Sequence, residues 1–153
     1  MKTALKAGVV LALLSLFIIA GCTENTDEGI PDSVNSDKFG ALKAELYHFH
    51  TNSQCYSCVI LGELANETVQ TYYKPQLESG KLIFEHVNID EEENKELAEK
   101  YGAGGSSLMI GVYGKDGEFY HENLVGALYR LNDPESFAEY LKNILDPLIG
   151  GSS

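Results

Sequence analysis

The sequence predicts one mixed α/β domain, and three observations lead there. Runs that alternate like strands take turns with runs of helical spacing, the last two strands flank a short Asp-Gly loop, and the block carrying them, residues 39–149, is the size of one domain.

Residues 44–50, Ala-Glu-Leu-Tyr-His-Phe-His, alternate and are rich in aromatics, so they read as the first strand. From Cys58 the positions Cys58, Leu61, Ala65, Val69 and Tyr72 recur at helical spacing, and Pro75 ends that pattern. Residues 81–89 read as a second strand. Asp90 with Glu93 resembles a capping box for the next helix, which has Leu97, Ala98 and Tyr101 as its apolar face and Gly102 as its end.

Two further strands, 108–113 and 118–125, flank Gly114-Lys115-Asp116-Gly117, a strong hairpin signal. The final helix has Asp133 as cap, Pro134 in first position, and Phe137, Leu141, Ile144, Leu145 and Leu148 on one face. The order is strand, helix, strand, helix, strand, strand, helix, with no internal repeat. Strands alternating with helices imply right-handed parallel crossovers, and the hairpin adds antiparallel strands. A mixed central sheet with helices on both faces is expected.

The first 21 residues read as a secretory signal. Lys2 and Lys6 precede an apolar stretch from Ala7 to Ala20 that is shorter than the roughly 20 residues a membrane-spanning helix needs. Ile19-Ala20-Gly21-Cys22 resembles a lipobox, which would make Cys22 a lipidated N-terminus. An ordinary signal peptide or an uncleaved anchor beside a chance cysteine is the other reading. A diacylated Cys22 would hold the protein stably, because two lipid chains anchor where one is marginal. The expected location is the extracytoplasmic face of the cell membrane. Residues 22–38 are polar and read as a flexible tether, and residues 150–153 as a frayed tail.

Eleven basic against 23 acidic residues give a net charge of −12. Such a chain offers no basic patch for nucleic acid, and anionic lipid headgroups would repel it.

The chemistry concentrates in Cys55-Tyr56-Ser57-Cys58, at a predicted strand-to-helix junction. The first turn of a helix carries unpaired N–H groups and the positive end of the dipole, which favour an anion. Cys55 is therefore the expected nucleophilic thiolate, and Cys58, almost one turn on, the thiol that resolves a mixed disulfide. The spacing alone also fits zinc or a structural disulfide. Zinc would need two further ligands from His48, His50, His86 and His121, since Cys22 is committed to lipid. His48 and His50 share a strand face and are equally readable as packed imidazoles. A bridge across so short a loop adds little entropic stabilisation, which weakens the purely structural reading.

From 46 to 145 the chain resembles thioredoxins. Besides the cysteine pair, Asn88-Ile89-Asp90, Lys100-Tyr101-Gly102 and Val125-Gly126-Ala127-Leu128 match that family in order and spacing. The resemblance implies the thioredoxin-like fold and thiol–disulfide exchange without a cofactor beyond the Cys55–Cys58 disulfide. Two positions depart from the family. Its cis-proline would fall within Gly105-Ser106-Ser107-Leu108, where Ser107 stands and where a trans peptide is expected, because a non-proline cis bond costs about 2.5–4 kcal/mol. Its buried acid, which assists proton transfer from the resolving cysteine, is replaced by Phe49, leaving His50 as a substitute base. The segment 47–58 is also similar to the thioredoxin-like subunit family of a nitrophenyl-compound nitroreductase, which would imply electron relay beside a membrane protein.

The expected activity is thiol–disulfide exchange with exported or membrane proteins, with a separate membrane redox partner. Gln54, Tyr56, Ser57, Ser106 and Ser107 are the residues expected to meet the partner. The competing class is a non-catalytic module that uses the same cysteines to bind a membrane partner, or a thiophilic metal or metalloid.

Overall fold

The computed structural model describes residues 43–114 and 117–150. The signal (1–21), Cys22, the 22–38 tether, residues 39–42, Lys115-Asp116 of the hairpin loop and the tail residues 151–153 lie outside the described residues.

Among the described residues four strands and four helices follow in the order β1 (Lys43–His50), α1 (Tyr56–Tyr72), α2 (Lys74–Glu78), β2 (Leu82–Asn88), α3 (Lys95–Tyr101), β3 (Ser107–Tyr113), β4 (Phe119–Asn123) and α4 (Pro134–Ile149). Short 3-10 segments, Glu92–Asn94 and Val125–Arg130, precede α3 and α4. The sheet order is β2-β1-β3-β4. β1 pairs parallel with β2, from Ala44 beside Leu82 to His50 beside Asn88, and antiparallel with β3, from Lys43 opposite Tyr113 to Phe49 opposite Ser107. β4 closes the sheet antiparallel to β3.

Because β1 is central, its alternation separates two interiors rather than an inside from an outside. Ala44 and Leu46 belong to the larger core with Leu61, Ala65 and Val69 of α1 and Phe137, Leu141 and Leu145 of α4. Tyr47 and Phe49 belong to a second core with Ala98 and Tyr101 of α3, Val87 of β2 and Met109 of β3. Helices thus cover both faces, as the sequence pattern implies.

That second core contains a carboxylate. Glu45 is buried, accepts a hydrogen bond from Tyr101 Oη at 2.8 Å, and meets Lys43 at 2.8 Å and Lys100 at 3.6 Å. Burial alone would raise its pKa. The hydrogen bonds from Lys43 and Tyr101 and the charges of Lys43 and Lys100 outweigh that, and the carboxyl sits below the ordinary range.

Local chemistry explains most element ends. Asp133 caps α4 by accepting from Ser136 N–H at 3.0 Å, with Pro134 next, as expected. Gly102 closes α3 with φ of +65°, a left-handed conformation that costs glycine little.

Three expectations are corrected. Asp90 and Glu93 do not cap a helix: a 3-10 turn intervenes, α3 begins at Lys95, and the Asp90 carboxylate is used elsewhere. Pro75 does not simply end a helix, because it stands in the first turn of the short α2, where its missing N–H is not needed. Val125 lies beyond β4, in the 3-10 segment. Among the described residues, no helix is long and apolar enough to cross a membrane.

Candidate functional site

β1 leaves the sheet at His50, and five residues later Cys55 caps α1. The intervening loop is tied down. Asn52 N–H donates to Asp90 Oδ2 at 2.7 Å, and Asn88 Nδ2 donates to Asn52 Oδ1 at 2.8 Å. Thr51 Oγ1 donates to Ser53 O at 3.0 Å, and Ile89 N–H donates to His50 O at 2.8 Å. The end of β2 therefore sets the path by which the chain reaches Cys55. This is why Asn88-Ile89-Asp90 matters here, a role the sequence reading missed by assigning Asp90 to a helix cap.

Cys55 and Cys58 form a disulfide with a Cα–Cα separation of 5.0 Å. Cys55 is extended at φ −75°, ψ 162°, and its Sγ accepts from Cys58 N–H at 3.2 Å, while its carbonyl accepts from Val59 N–H at 3.1 Å. A sulfur thus does the work usually left to a hydroxyl or carboxylate cap. On reduction, the same N–H and the dipole of a 17-residue helix with no acidic residue in its first turn favour charge on Cys55. Cys55 is exposed and Cys58 only half so, which suits attack at the first and resolution by the second.

Gln54, Tyr56 and Ser57 are exposed around the pair, Tyr56 at 82%. Ser106 and Ser107 reach the same end of the sheet from β3, because Ser107 sits opposite Phe49, one residue before β1 ends. Ser107 Oγ turns back to Gly105 O at 3.4 Å, and Ser106 Oγ is buried with no hydrogen-bond partner among the described residues. The peptides of the described residues are all trans, including those at Ser106 and Ser107.

Phe49, read from sequence as standing where the family keeps its buried acid, belongs to the second core, on the sheet face away from α1. The group that lies under α1 is His48. It is 1% exposed, and a Cβ built on Gly62, one turn beyond Cys58, would fall 2.4 Å from its Nδ1. His48 Nδ1 also meets His86 Nδ1 at 3.0 Å, across the parallel register that pairs the two residues. His50 stacks against His48 with ring centroids 5.5 Å apart, and its Nδ1 bonds Thr51 O at 3.1 Å.

Burial, then the neighbouring His86 and His50, lower the His48 pKa to about 4, against a weaker opposing pull from the Cys58 carbonyl. His86 is lowered as well, by burial of part of its ring and by His50. Both imidazoles are neutral near pH 7. The alternation of 44–50 placed His48 and His50 on one face, but His86 as partner depended on the inter-strand register. His121 lies apart, on β4, against Tyr101 and Phe119. Among the described residues no three or more His, Cys, Asp or Glu side chains are grouped to hold a metal ion.

No protein-family model matches the chain, and no curated protein matches it. Among solved structures it is similar to the solution structure of a thioredoxin from Thermus thermophilus, with 21% identity over 69% of this chain and 76% of that one and a TM-score of 0.46. It is also similar to the structure of a malarial protein, with 16% identity over 57% and 94% of the two chains and a TM-score of 0.34. The thioredoxin-like layout rests on the topology itself: parallel β1 and β2 joined through α1 and α2, an antiparallel β3–β4 pair, and a cysteine pair at the start of α1.

Proposed function

We propose that this chain is a thiol–disulfide oxidoreductase, acting on exported or membrane proteins from the extracytoplasmic face of a membrane to which Cys22 anchors it. The observation that carries the reading is the Cys55–Cys58 bridge at the start of α1, with Cys58 N–H bonded to Cys55 Sγ and Cys55 the more exposed residue of the two.

A partner thiolate attacks Cys55 and Cys58 leaves; in reverse, Cys58 attacks the mixed disulfide and frees the partner. Gln54, Tyr56, Ser57, Ser106 and Ser107 border the place a partner's backbone would occupy. Electrons enter or leave through a separate membrane redox protein.

Equilibration with glutathione buffers and thiol trapping, with metal analysis on the same sample, tests this. A reversible couple near about −270 mV makes the protein a reductant or relay, and one near about −120 mV an oxidant. No exchangeable couple, or a stoichiometric metal on the thiols, overturns the reading in favour of a binding module. Loss of fatty-acid labelling in Cys22→Ala is the expected mark of the anchor, and labelling that persists would overturn it.

A further inference from the structure

Three observations converge beneath the resolving cysteine. Among the described residues His48 Nε2 is buried without a hydrogen-bond partner, and its ring lies against Gly62 and faces the Cys58 carbonyl. Its other nitrogen meets His86 Nδ1 at 3.0 Å. His86 is itself exposed, so the pair runs from the underside of α1 to water. At 3.0 Å, two neutral imidazoles share one proton between their Nδ1 atoms, so the tautomer of each fixes that of the other.

We propose that His48 and His86 form a proton relay that serves Cys58 during resolution of the mixed disulfide, with His48 receiving the proton and His86 releasing it. The proposal rests on the thiol-exchange reading for its biological use, though not for its chemistry.

In the mixed disulfide on Cys55, the Cys58 S–H proton passes to His48 Nε2. The freed electron pair forms the Cys58–Cys55 bond, and the bond between Cys55 and the partner breaks with its pair on the partner's sulfur. His48 hands its Nδ1 proton to His86 Nδ1, and His86 gives its Nε2 proton to water, from which the leaving thiolate is protonated. Two thiols are oxidised, one partner disulfide is reduced, and both histidines end neutral with exchanged tautomers.

The groups that face His48 are few. β1 supplies His50, β2 supplies His86, α1 supplies Gly62 and the Cys58 carbonyl, and β3 presents the apolar Leu108 at the paired position. Glu63, next to Gly62 on α1, is exposed. A relay of neutral rings needs no stable imidazolium, so burial among these groups is compatible with transfer.

The test uses the reduced full chain with Cys22→Ser in every sample, reacted with dithionitrobenzoate. The first absorbance phase reports attack by Cys55, and the second reports release of thionitrobenzoate as Cys58 resolves. His48→Phe and His86→Asn are each expected to slow the second phase at least about tenfold, at the low end of general acid–base effects, and to leave the first within twofold. Added imidazole should restore the His86→Asn rate. In the unsubstituted histidine pair, nitrogen NMR should find opposite tautomers.

Second-phase rates and pH profiles unchanged in both variants would overturn the relay, as would two Nε2–H tautomers. If His48→Phe does not fold, His86→Asn and the NMR decide. Slow release together with no turnover of protein disulfides would sink the oxidoreductase reading and keep the relay; normal turnover with unaffected release would do the reverse.

Discussion

Gly62 and His48 are in direct contact: a single added carbon on the helix would sit 2.4 Å from the ring's Nδ1 and 2.6 Å from its Cε1. The ring is enclosed between sheet and helix and cannot swing away. Gly62→Ala is therefore expected to destabilise the fold. Overpacking of about 1–3 kcal/mol exceeds the gain of about 1 kcal/mol in helix propensity. Denaturant unfolding measures it, and the cost should shrink in a His48→Ala background, where the clash is absent.

The same burial makes stability depend on pH. The folded-state pKa of His48, about 4, is depressed from the ordinary 6.5, so the unfolded chain binds more protons between those values. Its contribution is complete above about 6.5 and is lost as pH falls toward 4, by up to about 3 kcal/mol. Unfolding free energies across pH 4–8 should fall on the acid side, with a smaller drop in His48→Gln. An unchanged slope in that variant would assign the acid sensitivity to other groups.

Tyr101→Phe removes a hydrogen bond to a buried carboxylate and is expected to cost about 1.5–3 kcal/mol. It should also raise the Glu45 pKa, because one of the groups that holds it low is gone. The stability tied to Glu45 is present above the ordinary carboxylate range and lost as pH falls through the depressed folded value. In the variant that loss should be smaller and complete at a higher pH, and a carboxyl-carbon NMR titration would register the raised folded-state pKa.

Asp133→Ala should cost about 1 kcal/mol, since it frees the Ser136 N–H that the carboxylate now caps at 3.0 Å. Asp133→Asn should recover most of this. Thermal unfolding of the three proteins gives the comparison.

Cys58→Ser is expected to accumulate mixed disulfides on Cys55, and Cys55→Ser to abolish exchange. Non-reducing electrophoresis of the two variants after incubation with a disulfide-bonded protein separates them. Equal trapping by both would reverse or remove the assigned roles.

The sequence by itself determined the element order apart from the short α2, the final helix with its Asp133-Pro134 start, the end of α3 at Gly102, and the place of the cysteine pair at a helix start. These are local facts, set by periodicity, capping and backbone freedom within a few residues. Residues tied across the chain were legible only after folding. Asp90 looks like a cap beside its own helix, yet its carboxylate takes Asn52 N–H, 38 positions away. Glu45 looks like the polar half of an alternating strand, yet a central strand has two interiors, and Tyr101, Lys43 and Lys100 make its burial tolerable. Which imidazole lies under Cys58 was likewise decided by the face β1 turns toward α1, and its partnership with His86 by the parallel register of two strands. Tertiary structure alone brings such groups within the few ångströms at which protons and hydrogen bonds are shared.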